Sequence, residues 1–148
     1  RYSQTTLTMS GTTFNAESTY GNYGDCTKPS FKTSLKGPYE IKEDVILSSG
    51  ITATNLVVDI NTVYVTLLND RLIAESNDLE TCDHSNWQAD VKVEISNCPT
   101  YSPPGTVYDI FKVEGDDLFL GDGEYGDFRS KSSSPTQLGS EPYVRQYN

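Results

Sequence analysis

The residues of this chain that could do chemistry are few in kind: three cysteines, one histidine and 21 carboxylates among 148 residues. Cys82 and Cys98 flank Trp87-Gln-Ala-Asp-Val-Lys-Val-Glu-Ile95, a segment that can form one strand with a turn at each end, and they make the natural disulfide. In the chain-entropy model, closing a loop of that size contributes about 3 kcal/mol. Cys26 is left over. Its readings are a free buried thiol, a bridge to another chain, or half of a bridge to a segment upstream of Arg1. No Cys-x-x-Cys pair occurs, and Cys82, Asp83 and His84 supply fewer ligands than the four a structural zinc takes. Structural roles for the cysteines are therefore preferred to redox or metal chemistry.

Asp116, Asp117, Asp122, Glu124 and Asp127 gather carboxylates among glycines, a composition that suits calcium. Their spacing does not reproduce the alternating Asp-x-Asp-x-Asp-Gly loop with its distal Glu, so solvated acidic turns are the preferred reading. Nucleophilic catalysis needs a base within reach of the nucleophile, and the single histidine, His84, sits beside the expected Cys82–Cys98 bridge. Nothing selects the two facing carboxylates of a glycosidase. Trp87, between Asn86 and Gln88, reads as a sugar-stacking platform or as core, with core preferred. No enzyme activity and no cofactor are expected.

Net charge of -10 and a pI near 4.4 set up repulsion toward phosphate backbones and anionic headgroups, which argues against nucleic acid as a partner. No apolar run approaches the roughly 20 residues of a membrane-spanning helix. Arg1-Tyr2-Ser3-Gln4 lacks the pattern of a signal peptide, and the chain reads as a mature or trimmed form. It contains no Asn-x-Ser/Thr acceptor.

The elements that must position these residues are strands. Aromatic residues, with ten tyrosines and five phenylalanines, favour sheets, and 148 residues suit a single domain. Leu7 and Met9 alternate into a turn at Ser10-Gly11, and Phe14, Ala16, Ser18 and Tyr20 continue on one face, which predicts a hairpin. Phe31, Thr33 and Leu35 lead to Gly37-Pro38, after which Tyr39 and Ile41 resume in a bent or edge strand. Residues 55–65 form the best central strand, with Leu56, Val58 and Ile60 on one face and an irregularity at Asn61-Thr62 before Val63 and Val65. The one predicted helix spans Leu67 to Ser76, where Leu68, Leu72 and Ile73 form a stripe. Trp87 to Ile95 reads as a strand and Pro99 to Gly105 as a loop. Val107 to Val113 and Leu118 to Leu120 read as a hairpin about residues 114–117. A polar run from Gly121 to Gly139 precedes a last strand, Pro142 to Tyr147.

The run Tyr23-x-Asp25-Cys26-x-x-Pro29-x-Phe31, then Gly37-x-Tyr39, then Cys82 through Trp87 and Asp90-Val91 to Cys98, then Tyr108-x-Ile110-Phe111-Lys112 and Leu118-x-Leu120-Gly121, resembles the domain of the adenomatosis polyposis coli down-regulated family. These are secreted or membrane-anchored proteins with lipocalin-like β-barrels, related in the animal members to Wnt inhibition and lipid binding. The resemblance extends over residues 1–146 and implies a lipocalin-like antiparallel barrel or half-barrel. Two departures matter: the family domain opens with a Gly-x-Trp strand and a further cysteine ahead of the point where this chain begins, and Ser130 to Pro135 follows the family's Asp-Gly-Ser-Ser-Pro pattern loosely. The animal proteins also carry two such domains, whereas this chain has room for one. The resemblance implies that the usual partner of Cys26 lies on that opening strand and that the barrel has an open edge.

Two functions follow as expectations. The first is a secreted or cell-surface binding module whose interior, lined by Phe14, Tyr20, Tyr39, Leu56, Val58 and Phe111, takes an apolar small molecule, a lipid or a partner protein. A filled core is the plainer reading of those side chains. The second is a structural or adhesive subunit of an extracellular homo-oligomer or filament, joined by strand addition or by a Cys26 bridge.

Overall fold

The computed structural model describes residues 2–21, 28–98, 104–125 and 128–145. Cys26, Asp127, Tyr23, Asp25 and the predicted loop at residues 99–103 lie outside the described residues. The fold is all-β and antiparallel with one short α-helix among the described residues, as the alternation implies. Its strands are β1 (Tyr2–Ser10), β2 (Thr13–Gly21), β3 (Pro29–Ile46), β4 (Thr52–Ile60), β5 (Thr62–Leu67), β6 (Lys92–Glu94), β7 (Gly105–Glu114), β8 (Asp117–Leu120) and β9 (Tyr143–Val144), and they follow the order β1-β2-β3-β4-β7-β8-β9, with β5 pairing β3 and β6 pairing β5. The chain divides into two compact units, Arg1–Gly37 with Ile60–Pro104 and Pro38–Asp59 with Gly105–Asn148.

In the first unit, β1 (Tyr2–Ser10) and β2 (Thr13–Gly21) form the predicted hairpin, in unbroken register from Tyr2 opposite Gly21 to Ser10 opposite Thr13. Gly11 opens its two-residue loop at φ +58°, the glycine position of a type II′ turn. The first half of β3 (Pro29–Ile46) pairs β5 (Thr62–Leu67), and β5 pairs β6 (Lys92–Glu94). Val63, Val65 and Leu67 alternate as buried positions, and Ile60, Trp87 and Ile95 of the same unit are buried as well.

Two sequence expectations need correction in this unit. The helix α1 spans Asp70–Asp78 rather than Leu67 to Ser76. Leu67 is committed to β5 opposite Phe31, the Leu68 amide donates to the Ser30 carbonyl at 2.9 Å, and Asn69 caps the helix by accepting from the amides of Arg71 and Leu72. The strand expected from Trp87 to Ile95 is only Lys92–Glu94. Trp87 stays out of the ladder because Asn77 takes both its backbone groups: the Trp87 amide donates to Asn77 Oδ1 at 2.6 Å, and Asn77 Nδ2 donates to the Trp87 carbonyl at 3.1 Å. The indole Nε1 donates to the Thr81 carbonyl at 3.3 Å, and the ring is 3% exposed, so Trp87 is core rather than a sugar platform.

Around this anchor Glu80, Cys82, Asp83 and Asp90 all adopt positive φ, a costly conformation for residues with a Cβ. The predicted Cys82–Cys98 disulfide closes the same loop, with the Cα atoms 5.2 Å apart.

In the second unit, the distal half of β3 pairs β4 (Thr52–Ile60), with a register break between Ile41 and Asp44. β7 (Gly105–Glu114) pairs β8 (Asp117–Leu120) across Gly115-Asp116, the predicted hairpin, with Gly115 at φ +63°. β8 pairs β9 (Tyr143–Val144), which lies within the strand expected from Pro142 to Tyr147, whose residues 146 and 147 lie outside the described residues. The polar run after Gly121 is a strap. Gly121 bridges Leu138, the Asp122 amide donates to the Gln137 carbonyl at 2.9 Å, and buried Pro135 and half-buried Leu138 face the sheet. Leu138 and Val45 pack on the core of Leu47, Ala53 and Ile110.

Replacing Asn77 with alanine strands the amide and carbonyl of a buried tryptophan. An Asn77→Ala chain is expected to lose about 2–4 kcal/mol of stability, read as a lower urea midpoint with the disulfide intact. The emission of Trp87, the sole tryptophan, should shift to the red. An unchanged midpoint would remove Asn77 from this anchoring role.

Candidate functional site

Among the described residues an open groove of about 600 Å³ lies in the second unit. Alternation along the strands builds it. Glu40 on β3 stands opposite Val57 on β4, so both side chains point to one face, and Asn55 and Asp59 flank Val57 on that same face. Tyr108 of β7 continues the floor, and Lys131 and Ser134 of the strap form a wall. Thr106 Oγ1 donates to Asp59 Oδ1 at 3.5 Å, which ties β7 to β4 beside the floor. The Lys42 ammonium pairs with the Glu40 carboxylate on the exposed rim, and that hydrogen bond raises the lysine pKa.

Asp109 is the half-buried carboxyl of this site. Its Oδ1 accepts from the amides of Ile110 at 2.7 Å and Gly121 at 3.0 Å, joining β7 to the start of the strap. Burial pushes its carboxyl up from 3.8 to about 6, against the opposing pull of those two amides. Gly121 is required by close approach: a Cβ there would lie 2.3 Å from Asp109 Oδ1 and 2.5 Å from the Pro135 Cβ.

The six residues expected to line one interior are divided. Phe14, half-buried opposite Met9, and Tyr20, whose ring stacks on Phe31 at 4.7 Å, belong to the first unit. The other four belong to the second unit, where Tyr39 and Leu56 line the groove. Val58, 3% exposed, and Phe111, half-buried opposite Leu120, lie outside its wall. Sequence reasoning missed Val57, Asp59, Tyr108, Asp109 and Lys131. For Asp109 a signal existed, a single carboxylate within Val107-Tyr-Asp-Ile-Phe111.

Elsewhere the chemistry-bearing residues are engaged locally. The His84 ring meets Trp87 edge-on at 5.2 Å. Asp122 Oδ1 accepts from the Glu124 amide at 2.9 Å, an Asx-type turn, while Asp116 is exposed and Asp117 pairs opposite Val144. Among the described residues no three His, Cys, Asp or Glu side chains gather as a metal site. A second open groove, of about 480 Å³, lies in the first unit beside the start of α1, where Asn69 is already used as the cap.

No family model matches the chain, and no curated protein matches it. The family resemblance rests on the residues quoted for it. Among the described residues no helix is long and apolar enough to cross a membrane.

A raised carboxyl pKa has a definite sign in stability. Between 3.8 and about 6 the folded state holds more protons at Asp109 than the unfolded state, so stability falls as pH rises through that window. The loss is on the order of 3 kcal/mol by pH 7. Asp109→Asn keeps the acceptor for Gly121 and Ile110 without the charge, and should flatten that slope and match or exceed the wild type at pH 7. Asp109→Ala removes the acceptor and should be less stable at every pH. Urea midpoints from pH 4 to 8 test this, and parallel wild-type and Asn profiles would contradict it.

Proposed function

We propose that this protein is an extracellular, non-enzymatic binding module of the lipocalin-like kind, which holds an amphipathic small molecule or lipid in the groove of its second unit. The observation that carries this reading is the lining: an apolar and aromatic floor of Val57 and Tyr108 beneath a rim with charges of both signs, Lys42 and Lys131 against Glu40 and Asp59. Such a surface buries a hydrocarbon or ring system while leaving a polar head in contact with water and charge. The groove wall contains no histidine and no cysteine, and His84 lies in the first unit, so a binding role needs fewer assumptions than a catalytic one. The Cys82–Cys98 disulfide supports an oxidising compartment outside the cytosol. The resemblance to the adenomatosis polyposis coli down-regulated domain supports the same ligand class.

Displacement of a fluorescent fatty-acid probe tests the reading. Val57→Lys, which charges the floor, and Tyr108→Ala, which removes a ring from it, should each weaken probe binding about tenfold or more. Val113→Lys serves as the control, since that valine is 59% exposed on β7 and outside the groove. Absence of probe binding to the wild type, or equal weakening by the control, would defeat the proposal.

A further inference from the structure

Three strands end a sheet path among the described residues: β1, β6 and β9. An edge strand offers unpaired amides and carbonyls to any other strand, and proteins blunt such edges by shortness, charge, proline or bulges. β9 has 2 residues, and β6 has 3, of which Lys92 and Glu94 are charged. β1 has none of these protections. It runs for 9 residues, Tyr-Ser-Gln-Thr-Thr-Leu-Thr-Met-Ser, with no charged side chain and no proline, and its register against β2 is unbroken from end to end.

We infer that β1 is a self-association edge, at which two copies of the chain pair β1 to β1 antiparallel about Thr6. Charge and register both favour a second copy. At a net charge of -10 two copies repel, and the neutral β1 edge is a place where their backbones can meet without opposing like charges. The one carboxylate of the hairpin, Glu17, stands opposite Thr6 on β2. Across a β1–β1 pairing the two Glu17 residues would be three strand spacings apart, about 14 Å, beyond the Debye length at physiological salt.

A two-fold axis at Thr6 sets Gln4 against Thr8 and Thr5 against Leu7 of the other copy. Odd positions then oppose odd positions. The half-buried face of Thr5, Leu7 and Met9 continues from copy to copy, and the exposed face of Gln4, Thr6 and Thr8 does the same on the other side. A slip by one residue would oppose these faces. The contact is isologous, so it closes at a dimer. This inference is independent of the groove.

The test is sedimentation equilibrium of the whole chain from micromolar to millimolar concentration, in a Cys26→Ser background that removes any bridge through that thiol. A reversible dimer is expected. Gln4→Lys with Thr8→Lys places lysine opposite lysine twice across the axis and should weaken the dimer about tenfold. Gln4→Lys with Thr8→Glu places lysine opposite glutamate twice and should retain it or tighten it. Both pairs face only Thr19 and Asn15 within the hairpin, so the fold, followed by Trp87 emission, should not change. A monomer at all concentrations, a Lys/Lys chain that dimerises like the parent, or a Lys/Glu chain weakened as much as Lys/Lys would each overturn the inference.

Discussion

The buried face that runs from β4 into β5 depends on one extra residue in the chain at Asn61. From Leu56 to Leu67 the fully buried positions are 56, 58 and 60 before it and 63, 65 and 67 after it. The pairing sums with β3 change by one across the same point, from Tyr39 opposite Val58 to Lys36 opposite Thr62, while the Asn61 amide still finds an acceptor in the Lys36 carbonyl at 3.0 Å. Side chains in a strand alternate with a period of two, so a single inserted residue turns every following apolar side chain to the other face. Without Asn61, Val63, Val65 and Leu67 would all face the wrong way in their own unit, with a penalty of several buried aliphatic side chains.

The groove depends on a second constraint of a similar kind, one in which backbone groups are satisfied by a half-buried side chain. Asp109 lies in an otherwise apolar stretch of β7 and gives one oxygen to two amides, one on its own strand and one at Gly121. The strap can leave β8 and return beneath Pro135 because residue 121 has no Cβ to collide with that oxygen. Burial opposes the charge on Asp109, and the amides offset part of the cost. The site therefore holds a carboxyl whose ionisation is sensitive to its surroundings, directly beside the floor on which a ligand would rest.

Much of the fold was legible because period-two alternation and turn glycines are local signals. The hairpins at Gly11 and Gly115, the irregularity at Asn61 and the Cys82–Cys98 bridge follow from neighbouring residues alone. Trp87 to Ile95 misled because its alternation is real, while the partner that keeps Trp87 from the ladder is Asn77, on the preceding helix. The helix start was displaced for a similar reason: Leu67 fits either periodicity, and only its pairing with Phe31 decides for strand. The site was less legible than the fold. Alternation sets Tyr39 and Leu56 on the face away from Val57, although both border the groove, and Asp59, Tyr108 and Lys131 meet there only through strand order and the course of the strap.

The claim on which the functional reading stands is that a ligand occupies the groove of the second unit. Backbone amide NMR spectra of the protein isolated from its source, before and after extraction with organic solvent, address it directly. The predicted result is release of a small amphipathic molecule, with shifts centred on Glu40, Val57, Asp59, Tyr108 and Asp109. A spectrum that does not change on extraction and on refilling with fatty acid, or shifts centred on Trp87 and α1 instead, would contradict it.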